Sequence, residues 1–149
     1  MLNRDFKEFA ELLRAHGVEY LLVGGYALAA HGHPRFTGDI DFWIAPEPPN
    51  IDRLLAALVA FGFGSLGLRP EDFGDDSVVQ LGRPPTRIDL LTRIDGVNFA
   101  DCWPRRLQVM LDGTELQLIG LEDFKTNKRA SGRQKDLADL EALEPPQDD

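Results

Sequence analysis

The sequence predicts an α/β (α+β) fold, with a mixed, mostly antiparallel sheet flanked by helices. Three observations point to it. Helical periodicities open and close the chain and recur between short apolar runs, which is the pattern of helices layered on a sheet. Asp112-Gly113 stands between two alternating segments, a strong hairpin signal that requires antiparallel pairing in the second half. The length of 149 residues suits one ordinary domain and leaves no room for a second full core. Residues 1–143 are read as that domain, and the acidic, Pro-rich residues 144–149 as a disordered tail.

Each element has its own reason. Residues 4–16 read as a helix: Phe6, Phe9, Ala10 and Leu13 follow the helical period, Asn3 can cap, and Gly17 can end it. Residues 19–23 form a short apolar strand, broken by Gly24-Gly25, and residues 26–31 a short helix. Residues 39–44 alternate and read as a strand. After the rigid Pro46, Pro48 and Pro49, Asn50 stands at a cap position, and Ile51, Leu54, Leu55 and Leu58 mark a helical stripe that Gly62 ends. Residues 63–68 read as an edge strand and residues 69–76 as an acidic loop. Residues 77–81 and 87–91 are strands joined by a Gly-Arg-Pro-Pro turn, and residues 98–106 contain a helical turn. Residues 107–111 and 115–119 bracket the Asp112-Gly113 hairpin. Two short helices, 121–130 and 133–143, are split by Ser131-Gly132.

Composition narrows the function. Hydrophobic residues at 43% and charged residues at 28% imply a packed core rather than a disordered chain. Sixteen Lys and Arg against 25 Asp and Glu give a net charge of −9. That balance argues against stable binding of duplex DNA by phosphate neutralisation. It permits contact with a nucleotide or a nucleic-acid end, because a bound cation reverses the local field. The single Cys102 excludes an internal disulfide and a Cys-rich zinc site. The opening segment is amphipathic and acidic, unlike a signal peptide, and no apolar run approaches the roughly 18 residues of a membrane span. The expected location is a reducing cytoplasm, with no membrane partner.

Asp39-Ile-Asp41-Phe-Trp-Ile44 is the most informative stretch. Alternate residues of a strand share a face, so Ile40, Phe42 and Ile44 point one way and Asp39 and Asp41 the other. A later strand offers Asp89 between Ile88 and Leu90. Asp is depleted in strands and costly to bury unpaired, and gathered carboxylates repel one another. A hard divalent cation relieves both costs. The competing reading is a solvated sheet face on which Asp39 and Asp41 pair with Arg35 or Arg87.

Gly24-Gly25 lies between a strand and a helix, where bare backbone N–H groups can approach a phosphate; a plain tight turn explains the same pair. The dinucleotide fingerprint and the P-loop are both absent. Together the pieces resemble the nucleotidyltransferase fold of the DNA polymerase beta superfamily. The matching pattern is Leu-Val-Gly24-Gly25, then Arg35-Phe-Thr37-Gly-Asp39-Ile-Asp41, then Arg87-Ile-Asp89. The nearer likeness is to small bacterial nucleotidyltransferases of the abortive-infection and toxin–antitoxin (MNT-like) group. The stretch Lys128-Arg-Ala-Ser-Gly-Arg133-Gln-Lys-Asp136-Leu-Ala-Asp139 resembles their C-terminal end. The resemblance implies that Asp39 and Asp41 hold metal, one or two Mg²⁺ ions with Mn²⁺ as a substitute. It also implies that Asp89 completes the site and that Gly24 and Gly25 contact nucleotide phosphates. Arg35 and Thr37 fall in a longer loop and are further nucleotide-binding candidates.

Lys128 stands out in its own right. Leu121, Phe124 and Lys128 are spaced i, i+3 and i+7, which places a lysine on an apolar stripe. Such a lysine suits a triphosphate or a carboxylate partner and is a nucleotide-binding candidate; the competing reading is that it snorkels into water. Lys125 and Arg129 fall off the stripe and are expected in solvent. Asp136 and Asp139 share a helix face and can orient Lys128 or Arg133. His31 and His33 lack a third close ligand and do not make a zinc site. The roles of His31, His33, Arg133 and Asp136 stay open.

The expected activity is Mg²⁺-dependent transfer of a nucleoside monophosphate from a nucleoside triphosphate to a hydroxyl, with ATP-binding among the candidates. The acceptor is a protein or an RNA end, with a protein partner of a toxin–antitoxin pair favoured. The alternatives are a non-catalytic nucleotide- or partner-binding antitoxin-like module and a glycosyltransferase, which also uses Asp-x-Asp. The upstream Gly-Gly turn and the short chain weigh against the last.

Overall fold

The computed structural model describes residues 2–33 and 37–144. Helix α1, Arg4–Ala15, is capped by the Asn3 side chain, which accepts from the Phe6 N–H at 2.9 Å, and buries Phe6, Phe9, Ala10 and Leu13. Strand β1, Tyr20–Val23, runs directly into α2, Gly24–Ala30. Strand β2, Asp39–Ile44, precedes α3, Pro48–Leu58. Then come β3, Val78–Leu81; β4, Arg87–Leu91; α4, Phe99–Cys102; β5, Leu107–Leu111; and β6, Thr114–Leu118. Helices α5, Leu121–Ser131, and α6, Gln134–Leu143, close the domain.

One six-stranded sheet has the order β3-β4-β2-β1-β6-β5. The pairs β1/β2, β3/β4 and β5/β6 are antiparallel, while β1/β6 and β2/β4 are parallel, so the sheet is mixed and mostly antiparallel as expected. Asp112 at φ +50° and Gly113 at φ +79° form the turn between β5 and β6, the left-handed pair that a two-residue hairpin needs.

The core lies on both faces of the sheet. Phe9 of α1 meets Phe42 of β2 edge-on at 5.5 Å, and Phe42 in turn meets Tyr20 at 5.2 Å. By alternation Trp43 faces the other way, and it packs edge-on against Phe99 of α4 at 5.2 Å. Trp43 is thus a fully buried packing residue. No described helix is long and apolar enough to cross a membrane.

Two local expectations change. Helix α3 starts at Pro48, two residues before the proposed cap, because Pro48 and Pro49 fit a first turn whose N–H groups have no helical partner. Asn50 is therefore inside the helix and buried. Its carboxamide accepts from Glu19 N–H at 2.7 Å and donates to the carbonyls of Glu19 at 3.0 Å and Ala45 at 2.9 Å, tying the start of β1 to the end of β2.

The segment expected as an edge strand at 63–68 is instead a wide turn, Val59–Phe63, followed by a 3₁₀ turn, Gly64–Leu66. Gly62 at φ +105° and Gly67 at φ +64° prevent an extended run. Phe61 packs against Phe9 at 5.2 Å, so a contact with α1 sets the local shape.

Candidate active site

The pairing of β2 with β4 builds the site. These strands are parallel neighbours in a register that sets Asp41 beside Asp89 and Asp39 beside Arg87. All four side chains leave the same face, because each strand contributes residues two apart. One oxygen from each of Asp39, Asp41 and Asp89 lies within 4.8 Å of the others. The carboxylates share a cleft of about 530 Å³ with Gly24, Lys128, Arg133 and Lys135. That volume falls in the range of small-molecule sites.

The electrostatics follow from this crowding. Burial, reinforced by the charge of Asp39 and by hydrogen bonds to Asp89 and Asp39, pushes the Asp41 carboxyl up to about 8. Arg87 offsets part of the repulsion. Its Nε and Nη2 donate to the two oxygens of Asp89 at 3.0 and 3.1 Å, and Nη2 lies 3.5 Å from Asp39. The hydrogen bond to Asp89 raises the Arg87 pKa further. The aspartates cluster as a cation site would require, and of the ion pairs expected on a solvated face the structure shows Arg87 with Asp39, its stronger partner being Asp89.

Gly24 is required by contact as well as by backbone. It sits at φ +72°, and a Cβ there would lie 2.0 Å from Asp41 Oδ2. The missing side chain keeps the Asp41 carboxylate open to the cleft. Gly24→Ala is expected to disturb Asp41 and reduce any metal binding by about tenfold or more, with about 1 kcal/mol or more of stability lost to the positive φ. Titration with Mn²⁺ and thermal melting check both parts.

Other candidates occupy different places. Gly25 is buried, and a Cβ there would press on the Thr37 side chain at 3.1 Å. The Thr37 hydroxyl donates to the Asp39 carbonyl at 3.1 Å and to Asp39 Oδ1 at 3.3 Å, so it orients an aspartate. Arg35 lies outside the described residues. His31 donates from Nε2 to the Ile119 carbonyl at 2.9 Å and stacks on Phe124, while His33 is exposed.

Lys128 lines the cleft but is buried, and its Nζ donates to Asp136 at 3.2 Å and Asp139 at 3.1 Å. Arg133 Nε donates to Asp136 at 2.7 Å. Burial acts to raise the Asp136 pKa, but the hydrogen bonds from Arg133 and Lys128 outweigh it and hold the carboxyl below its ordinary value. Lys125 is not in solvent as expected. Its side chain is 13% exposed and its ammonium lies 3.5 Å from Glu122, because a long stem lies along the helix surface while its charge finds a neighbour. The buried Asp123, bound through both oxygens to Arg105 at 2.9 Å, escaped the sequence reading because Arg105 precedes it by a full hairpin.

An all-oxygen set of converging carboxylates, one kept open by a glycine, fits a hard divalent cation such as Mg²⁺. A protein-family model described as "Nucleotidyltransferase of unknown function (DUF6036)" matches residues 2–144. The chain belongs to this family. A solved structure, an antigenic nucleotidyltransferase-like protein from Paracoccidioides brasiliensis, is similar in fold. The TM-score is 0.55 at 20% identity, over 90% of this chain and 71% of that one. No curated protein matches. For this nucleotidyltransferase-family chain, family and fold together support a general nucleotidyl transfer. The sheet of the family fold is the element that carries Asp39, Asp41 and Asp89.

Proposed function

We propose that the chain is a divalent-metal-dependent nucleotidyltransferase that moves a nucleoside monophosphate from a nucleoside triphosphate to a hydroxyl. The observation that carries this reading is the convergence of Asp39, Asp41 and Asp89 from two adjacent strands to within 4.8 Å, facing a cleft of about 530 Å³. These three residues would hold one or two Mg²⁺ ions, with Mn²⁺ as a substitute. Bound there, the metal neutralises triphosphate charge and lowers the pKa of the attacking hydroxyl.

The chain's own residues supply the rest. The acceptor oxygen bonds to the α-phosphorus, the bond to the pyrophosphate oxygen breaks, and the hydroxyl proton passes to Asp89 or to water. Backbone at Gly24 lets a phosphate approach without a side chain in the way. Lys135 and the exposed part of Arg133 are among the cleft's cations that would meet a triphosphate, as are Arg87 and Arg93, whereas Lys128 acts by holding Asp136 and Asp139. ATP is the first nucleotide to test.

For the acceptor we favour a protein hydroxyl, on a basic partner of a toxin–antitoxin pair. The net charge of −9 repels a polyanion at long range, and the basic residues lining the cleft are matched by as many aspartates, which leaves no basic track for RNA there. A second reading, a nucleotide- or partner-binding antitoxin-like module without turnover, draws support from the hold of Arg87 on both oxygens of Asp89. One experiment separates these. The protein is incubated with each α-labelled nucleoside triphosphate, Mg²⁺ and a lysate of the source organism. Label that survives RNase and is lost to protease is expected. Label lost to RNase assigns an RNA acceptor, and nucleotide binding with no transfer to any fraction assigns the binding module.

A further inference from the structure

Arg87 occupies the position from which a cation would approach Asp89. The parallel register places Asp39 beside Arg87 and Asp41 beside Asp89, so Arg87 precedes Asp89 by two residues on the same face. Its guanidinium makes a two-pronged bond to Asp89, at 3.0 and 3.1 Å, and approaches Asp39 at 3.5 Å. A carboxylate offers about four lone-pair directions over two oxygens, and this fork uses one on each. Asp89 is nearly buried, its side chain 8% exposed, whereas that of Arg87 is 31% exposed and lines the cleft. The arginine therefore has somewhere to go, and the aspartate does not.

A divalent cation coordinated at about 2.1 Å by the same oxygens would stand within a few ångströms of the guanidinium and repel it. The open side of the cleft is where a triphosphate must lie to reach the carboxylates. A planar guanidinium fork suits phosphate oxygens as well as it suits a carboxylate.

We propose that Arg87 is an internal counter-cation for the carboxylate cluster. It holds Asp89 and Asp39 together before the metal arrives, yields Asp89 to the metal, and takes triphosphate oxygens as its new partner. This rests on the metal-site reading above. It makes two predictions of opposite sign for one residue. Removing Arg87 strengthens binding of the bare cation, because a competitor is gone, and weakens binding of the triphosphate, because a ligand is gone.

The test uses Mn²⁺ alone, followed by the free-ion paramagnetic resonance signal, and inorganic tripolyphosphate with Mg²⁺, followed by calorimetry. Arg87→Ala is expected to bind Mn²⁺ about tenfold tighter and tripolyphosphate about tenfold weaker than wild type, the scale of a hydrogen bond to a charged group. Arg87→Lys keeps the charge but not the fork. It is expected to bind Mn²⁺ tighter than wild type and tripolyphosphate nearly as well, and it carries the test if Arg87→Ala does not fold. Unchanged or weaker Mn²⁺ binding in the variant, or unchanged tripolyphosphate binding in Arg87→Ala, overturns the proposal. Asp41→Asn is measured alongside. If wild type and Asp41→Asn bind Mn²⁺ equally, the metal site itself is wrong and this proposal falls with it. If Asp41→Asn loses the ion and the Arg87 variants match wild type, only the role of Arg87 is wrong.

Discussion

Asp41→Asn is expected to lower nucleotidyl transfer by about 10³-fold or more while making the metal-free protein more stable. The two effects have one cause. Asp41 sits in a half-buried cluster with Asp39 and Asp89, and burial together with those neighbours lifts its carboxyl to about 8. A folded-state pKa above the unfolded value means that folding favours the protonated form. The contribution of this group to stability is complete below the unfolded value of 3.8 and is lost as pH rises through about 8. The wild-type metal-free protein should therefore lose thermal stability between pH 5 and pH 9 in a way that Asp41→Asn does not, other groups being common to both. At the upper end of that window the variant should gain roughly 1–3 kcal/mol, less than the 4 kcal/mol of one close like-charge pair because Arg87 offsets part of the repulsion. Mg²⁺ should stabilise the wild type at high pH and leave the variant nearly unmoved. Melting curves over that pH range, with and without Mg²⁺, read all three outcomes. A variant that keeps wild-type transfer activity would sink the assignment of Asp41.

Lys128→Ala is expected to destabilise the fold by about 3–5 kcal/mol, because it removes the buried cation that bonds two buried carboxylates. Asp136 is 1% exposed and Asp139 4%, and the ammonium of Lys128 lies 3.2 and 3.1 Å from them. Arg133 still reaches Asp136 in the variant, which limits the loss at that residue. Because the Asp136 carboxyl is held low, its contribution is present above the unfolded value and is lost as pH falls through the folded one, so the cost of Lys128→Ala should shrink in acid. Urea denaturation at pH 7 and at low pH measures this. Lys125→Ala, whose partner Glu122 has a side chain 83% exposed, should cost under about 1 kcal/mol. From its place on an apolar stripe Lys128 was expected to bind a nucleotide phosphate, with a carboxylate as the other partner; in the fold its ammonium bonds Asp136 and Asp139. A small stability change with a large loss of tripolyphosphate binding in Lys128→Ala would restore the former role.

What could be read without coordinates was whatever depends on neighbours along the chain. The period of two in Asp39-Ile-Asp41-Phe put the aspartates on one face and Ile40 and Phe42 on the other, and the fold agrees. The left-handed pair Asp112-Gly113 determined a hairpin, since few residues other than Gly, Asn and Asp accept those angles. Lys128 on an apolar stripe and Asp136 and Asp139 on one helix face were also local facts, and α5 and α6 bring them together. Where glycines interrupted a short apolar run, as at Gly62, Gly64 and Gly67, local pattern failed, because a contact with Phe9 selected the turn.

Tertiary structure alone decided the relations between distant segments. That β2 pairs in parallel with β4 rather than with β3 is a matter of strand order, and it is this choice that sets Asp41 against Asp89 and Arg87 against Asp39. A shift of one residue would have turned Asp89 to the opposite face. The Gly24 backbone at the Asp41 carboxylate, Asn50 tying β1 to β2, and Arg105 on Asp123 are likewise contacts across the fold. Periodicity along one strand says which way a side chain points. Which neighbour it meets is settled by sheet register and helix packing, where the cost of leaving buried charges and amides unpaired selects one arrangement.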